Sequence, residues 1–174
     1  SPLVIVGFAL IGLFIGVAVF APWIAPYGPE ERFWQLPQQP PSWQFLFGTD
    51  TTGGDIFSRV IWGARLDLSI ALTVVISAIA IGSILGSVSG FLGRAFDEML
   101  MRITDVFLAF PALILAMAVA AALGRNLTNL TIALMVVWWP TYARLIRGQV
   151  LAEKEKLYVD AARAVGAGPS RIIF

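Results

Sequence analysis

Residues 68–92, LSIALTVVISAIAIGSILGSVSGFL, decide the architecture of this chain. The run contains no Asp, Glu, Lys or Arg, and a helix of that length rises far enough to cross the roughly 30 Å hydrocarbon core of a bilayer. Within it Ala78, Gly82, Gly86 and Gly90 recur at every fourth position. That spacing gathers them into one stripe of small residues, along which another helix can approach closely. The stripe suits packing against a helix of the same chain and is also compatible with a dimer interface. Gly12 and Gly16 repeat the pattern once nearer the N-terminus.

Working outward, residues 3–21, 106–123 and 126–143 are likewise free of charged side chains. The chain as a whole is 58% hydrophobic and 13% charged, with a mean hydropathy of +0.81, far from the balance of soluble domains. The expectation is an all-α membrane protein, a polytopic bundle with four spans in these residues. The fourth has a short apolar centre at 130–139, diluted at its outer end by Asn126, Thr128 and Asn129. The first lacks the basic leader and the small-residue cleavage site of a signal peptide, and its apolar run is too long for one, so it reads as a span. Pro111 and Pro140 are expected to kink or end their helices, because proline removes a backbone donor.

Charge orients the spans. Alternation across the bilayer puts Arg32, Arg59, Arg65 and Arg125 on one side, and Arg94, Arg102, Arg144, Arg147, Lys154, Lys156, Arg163 and Arg171 on the other. The richer side is cytoplasmic by the positive-inside rule. The N-terminus is then inside, 22–67 is a long outer loop, 93–105 a short inner loop and 144–174 an inner segment. Trp23, Trp34, Trp43 and Trp62 on the outer side, with Trp138, Trp139 and Tyr142 at the inner end of the fourth span, suit interfacial anchoring.

Several chemistries are excluded or weakened by what is missing. Without Cys or His the chain has no disulfide, no thiolate or imidazole metal ligand and no imidazole base. The spans carry no ionisable group of the kind that proton- or ion-coupled carriers bury near mid-membrane. No G-x-x-x-x-G-K-[S/T] loop is present to cradle a nucleotide. Asp50, Thr52 and Asp55 lie close together but fit no calcium loop.

The outer loop divides in two. Pro22, Pro26, Pro29, Pro37, Pro40 and Pro41 make residues 22–47 irregular. Thr52, followed three residues later by Asp55, resembles the start of a capping box, and Ile56, Phe57, Val60, Ile61 and Ala64 share one face. This predicts a short amphipathic helix at about 53–65, lying on the outer interface before the second span.

The chain ends DAARAVGAGPSRIIF, residues 160–174. Helical periodicity over 156–165 sets Lys156, Asp160 and Arg163 against Leu157, Ala161, Ala164 and Val165. Gly166 is suited to the left-handed residue that stops a helix, Gly168 to the next N-cap and Pro169 to the first position of a following helix. The result is a compact helix–turn–helix whose alanines let a partner approach. Its mixed, sparse charges argue against nucleic acid.

YVDAARAVGAGPSRIIF, residues 158–174, resembles the cytoplasmic EAA loop of binding-protein-dependent ABC importers, in which an acidic-Ala-Ala triplet precedes Gly by three residues. Asp160 stands in the acidic position, usually Glu. LFGTDTTGGDIFSRVIWGARLDLSIAL, residues 46–72, and WWPTYARLIRGQVLAEKEKLYVDAARAVGA, residues 138–167, are similar to the C-type permease subunits of dipeptide, oligopeptide and nickel importers. Gly54 departs from that pattern, which commonly has Arg after Gly53.

The resemblance implies a type I importer permease fold of about six spans, so these residues are expected to be a truncated part of one, incomplete at both ends. It implies half of a translocation pathway with no catalytic residue and no cofactor of its own. ATP and magnesium would be bound by two cytoplasmic ATPase subunits, with a second, non-identical permease and an external substrate-binding protein as further partners. Asp160, Ala161, Ala162 and Gly166 are the implied coupling residues, with Tyr158 and Val165 beside them. Gly82, Gly86 and Gly90 are the helix-packing residues. The implied location is the bacterial or archaeal cytoplasmic membrane, and the implied substrate a peptide, with nickel or an oligosaccharide as alternatives. No residue is assigned to substrate. From other classes, a secondary carrier or channel and a membrane-embedded enzyme remain as alternatives.

Overall fold

A computed structural model describes residues 1–173, so the last residue of the expected 144–174 segment lies outside the description. Seven helices follow in order: α1 (Pro2–Ile24), α2 (Ile56–Leu92), α3 (Arg94–Leu108), α4 (Ala112–Leu123), α5 (Leu127–Glu153), α6 (Leu157–Ala164) and α7 (Pro169–Ile173). No strand occurs among the described residues, apart from an isolated antiparallel bridge between Thr49 and Asp55. The chain divides into two compact units, Ser1–Ala71 and the residues from Leu72 onward.

In the first unit, α1 is apolar on every side and exposed along most of its length, with Ala18 and Ala21 buried near its end. The proline-rich stretch after it forms no helix, yet it is ordered by a few specific contacts. Tyr27, Phe33 and Phe45 form an aromatic triad with ring centroids 4.9, 5.2 and 5.7 Å apart. Buried Thr49 donates to the Leu36 carbonyl at 2.6 Å and accepts from the Gln39 amide at 2.8 Å. The Trp62 indole donates to the Tyr27 carbonyl at 3.1 Å, which ties the loop to the start of α2.

That start differs from the expected capping box. Thr52 turns away from the helix, and its amide and hydroxyl both donate to Asp50 Oδ1. Asp55 is the residue that caps α2, accepting from the Ser58 amide at 2.8 Å. Asp55 is buried, so the carboxylate at the helix N-terminus acts where water screens it little.

Asp50 gathers three donors on one oxygen, the Thr52 amide, the Thr52 hydroxyl and the Gly54 amide at 2.7, 2.8 and 2.9 Å, while Arg59 pairs with the other oxygen. The Gly54 amide first, then the Thr52 hydroxyl and the Arg59 charge, hold its pKa down to about 2, from the usual 3.8. A depressed carboxylate pKa stabilises the fold above the unfolded value, and that support is lost as pH falls through the folded one. Tryptophan emission from this segment is therefore expected to stay constant down to about pH 4 and to change between about pH 4 and 2. Asp50→Asn should remove that acid-dependent step.

The separate interfacial helix expected at 53–65 is absent. α2 is one helix of 37 residues, so the amphipathic turns and the 68–92 span are continuous. Between them Arg65-Leu-Asp-Leu contains no proline or glycine to break the ladder, and each added residue gains a hydrogen bond once a helix exists.

In the second unit, Pro111 divides the expected 106–123 span. α3 ends at Leu108, α4 begins at Ala112, and their axes are bent by 91°. Pro140 behaves differently. It lies fully buried inside α5, which passes through it and runs ten residues beyond 143 to Glu153; membrane helices tolerate proline where packed neighbours hold the turn. Residues 144–153, expected in the inner loop, are thus the last turns of α5. α1 and α2 are each long and apolar enough to cross a membrane, and the bent α3–α4 pair makes up to a third. The fourth expected span lies in α5, whose polar start and basic second half keep it outside that set.

Candidate functional site

Two features of the second unit stand out: a tight seam between α2 and α5, and the short helix pair α6–α7 that follows α5. The seam is made by the small-residue stripe. A Cβ at Gly82 would lie 2.5 Å from Tyr142 Cβ and 2.8 Å from the Trp139 carbonyl oxygen, and one at Gly86 would lie 2.4 Å from the Ala143 carbonyl oxygen. At Gly90 the nearest atoms, on Arg147 and Val150, are 3.0–3.1 Å away. Ala78 and Ala143 are buried. The glycines therefore pack against α5 of the same chain.

Below the seam lies a polar cluster. Arg147 of α5 donates from Nε and Nη2 to the two carboxylate oxygens of Asp97 on α3, at 2.6 and 2.5 Å. The fully buried Ser89 hydroxyl of α2 donates to the same carboxylate. Lys154 donates to the Gly90 carbonyl at 3.0 Å, and Arg144 pairs with Asp105. In the sequence these basic residues registered only as markers of membrane side. The pairings escaped notice because Asp97 and Arg147 are fifty positions apart, with no local pattern linking them.

α6 is hung from the end of α5. Glu153 accepts from Lys156 and from the Tyr158 hydroxyl, both at 2.6 Å. Lys156 first, and Tyr158 second, keep the Glu153 carboxyl below its usual range, while the Glu153 carboxylate pushes Tyr158 up. Val159 is the buried residue of α6, and Ala162 is half-buried three positions on. Arg163 pairs with Asp160 at 3.3 Å and lies over the Phe91 ring at 5.5 Å from its centroid.

The helix stops at Gly166, whose φ is +84°. The Gly166 amide donates to the Arg163 carbonyl and the Ala167 amide to the Ala162 carbonyl, the paired bonds of a Schellman ending. Gly168 accepts from Arg171 and Ile172 at the start of α7. Between the two helices is a cavity of about 440 Å³ lined by Tyr158, Ala162, Val165, Gly166, Ala167 and Arg171 among others.

The exposed face of α6 holds the non-polar set read from the sequence. Leu157 and Val165 are 87% and 86% exposed, and Ala161 and Ala164 are exposed with them. Tyr158 and Asp160 are also exposed. Ala162, outside that face, is half-buried beside the cavity, which Val165 also borders. Among the described residues no group of three or more acidic side chains could hold a metal ion.

The sequence that builds this glycine-packed bundle and its small helix pair matches a known family. Its profile, the binding-protein-dependent transport system inner membrane component, matches residues 82–174. The chain belongs to this family. A second profile, the N-terminal TM domain of oligopeptide transport permease C, matches residues 1–41 of this family member. The Di/tripeptide transport system permease protein DppC of Pseudomonas aeruginosa (strain UCBPP-PA14) is 44% identical over 168 residues, which is 93% of this chain and 55% of that protein. The Probable D,D-dipeptide transport system permease protein DdpC of Escherichia coli (strain K12) is 42% identical over 173 residues, 99% of this chain and 58% of that one. The Glutathione transport system permease protein GsiD of Escherichia coli O6:K15:H31 (strain 536 / UPEC) is 42% identical over 162 residues, 92% of this chain and 54% of that one. The chain thus spans a little over half the length of these curated relatives.

Proposed function

We propose that this chain is the pathway-forming part of a C-type permease subunit in a bacterial ATP-binding-cassette importer for peptides. The observation that carries the reading is the exposed non-polar face of α6. Leu157, Ala161, Ala164 and Val165 stand outward on a helix anchored to α5 by Glu153, Lys156 and Tyr158. An exposed apolar face on an anchored helix suits a partner protein, here a cytoplasmic ATPase subunit whose closure would move α6 and α5 together. Asp160, Ala161 and Gly166 then serve docking, while Ala162 and Tyr158 line the cavity between α6 and α7. ATP and magnesium belong to two such ATPase subunits, and a second permease and an external binding protein complete the assembly. The basic residues support an orientation with the N-terminus and α6 in the cytoplasm. A peptide substrate is supported by the names of the relatives.

The test is a crosslink, made simpler by the lack of cysteine in these 174 residues. Leu157→Cys in the full-length permease, paired with single cysteines in the ATPase cleft, is expected to crosslink in membranes with a yield that changes on adding ATP. A transporting complex in which no cleft position crosslinks would overturn the docking assignment.

A second expectation concerns Gly166. Nothing lies within 4 Å of a Cβ there, so only the left-handed φ opposes substitution. Asn tolerates that conformation and Val does not. Gly166→Asn is expected to keep most ATP-driven uptake and Gly166→Val to lose it, by a strain of about 1–2 kcal/mol at the turn. Equal uptake by the two variants would refute the role of the turn.

A further inference from the structure

We propose that Asp97 is a positioning residue that makes α3 follow the movement of α5. The inference rests on the importer reading, since it concerns how motion received at α6 reaches the spans. α5 is continuous from Leu127 to Glu153 and carries α6 at its end, so a displacement of α6 is delivered to α5. α3 is fastened to α5 at three places along its length. Near its start Asp97 receives both Arg147 bonds and the Ser89 hydroxyl. Further along, Asp105 pairs with Arg144, and Phe107 meets Trp139 edge-on with centroids 5.7 Å apart.

The Asp97 site differs from the other two in being sheltered. The Asp97 and Arg147 side chains are 14% and 29% exposed, against 60% and 48% for Asp105 and Arg144. A two-bond guanidinium–carboxylate contact is directional. It holds one register between helices, whereas apolar side chains would let α3 slide. The third partner, Ser89, brings the end of α2 into the same bracket. Beyond Leu108 the chain bends by 91° into α4. α4 itself packs along α5, so the helix whose register hangs on the Asp97 contact is α3.

The test uses the full-length permease in its complete importer, reconstituted into vesicles, with peptide uptake and ATP hydrolysis measured on the same preparation. Asp97→Asn keeps the size of the side chain and removes its charge. Uptake is expected to fall about tenfold while hydrolysis stays within about twofold, so the peptide carried per ATP falls. Exchanging the pair, Asp97→Arg with Arg147→Asp, is expected to restore at least about half of that ratio. A merely structural role would lower uptake and hydrolysis together and leave the ratio unchanged, which would overturn the proposal, as would failure of the exchange to restore it.

If Asp97→Asn prevents assembly, Ser89→Ala decides. It removes one donor and leaves the ion pair, and the ratio is expected to drop about threefold with assembly intact. An unchanged ratio would overturn the proposal. The unaltered importer tests the underlying reading in the same vesicles. Uptake that is absent or independent of ATP sinks the importer assignment and this inference with it, whereas strict ATP dependence combined with a normal ratio in the variants sinks this inference alone.

Discussion

Gly86→Leu is expected to unseat α5 from α2 and give a protein that does not survive purification in mild detergent. The reason is where the new Cβ would fall, 2.4 Å from the Ala143 carbonyl oxygen and 3.1 Å from both the Ala143 carbonyl carbon and the Arg147 nitrogen. All three are backbone atoms inside a helix and cannot rotate aside. Relief demands that the two helices separate along their common seam, which breaks the contacts at Gly82 and Gly90 as well. Overpacking commonly costs about 1–3 kcal/mol even where side chains can adjust. Here alanine alone should reach the upper part of that range, and leucine exceed it. Membrane helices associate through close packing rather than through a hydrophobic drive, so nothing compensates for the lost approach. Gly12→Leu on α1 is the control, because no atom lies within 4 Å of its Cβ; its effect should stay within about 0.5 kcal/mol. Thermal or detergent-induced unfolding of the two variants side by side makes the comparison, and equal stability would show that the stripe does not set the helix spacing.

The second large effect is expected at Gly53. Its φ of +74° is left-handed, which costs an ordinary residue about 1–2 kcal/mol. A Cβ there would also sit 2.2 Å from the Phe33 carbonyl oxygen and 2.6 Å from its carbon. Phe33 cannot yield cheaply. Its amide donates to the Gly53 carbonyl at 3.0 Å and its ring belongs to the triad with Tyr27 and Phe45. Gly53→Ala should therefore open the segment between α1 and α2, seen as faster amide exchange and easier proteolysis across residues 25–55, while the helices of the second unit keep their protection. Gly28→Ala, where the nearest atom is 3.9 Å away, should change neither. Unaltered protection in Gly53→Ala would mean that the loop is not organised through the Phe33–Gly53 contact.

Gly54, where the family pattern commonly has Arg, also has a physical account here. A side chain at this position would emerge 3.1 Å from Arg32 Nη1 and 3.1 Å from Asp50 Oδ2. Arg59, whose Cδ would lie 3.4 Å from the same Cβ, already pairs with that Asp50 oxygen.

What was legible in the sequence was whatever local chemistry controls. Charge-free runs mark α1, the part of α2 from Leu68 onward and α4, because the cost of placing backbone and charge in lipid is met residue by residue; α3, with five charged residues, lies largely outside them. The stop at Gly166 and the restart at Pro169 were legible for the same reason, since one residue's φ decides each. The division at Pro111 was anticipated as a kink or an end, and the structure turns it into a 91° bend. Pro140, chemically identical, leaves α5 whole.

Other features depended on what each helix meets. The join between the amphipathic turns and the second span was misread because the change in polarity near Asp67 resembles a boundary, although hydrogen bonding along α2 ignores it. Periodicity put Leu157, Ala161, Ala164 and Val165 on one face of α6, but could not say whether that face turned inward. The sequence alone established a membrane bundle with an interrupted third span and a capped helix pair near the end of these residues, because hydropathy, proline and glycine act within a turn or two of the chain. Only the tertiary structure decided that Gly86 meets Ala143, that Asp97 holds Arg147, and that Val159 rather than Leu157 is buried, because each depends on how helices far apart in sequence cross, and crossing is set by packing that no local pattern records.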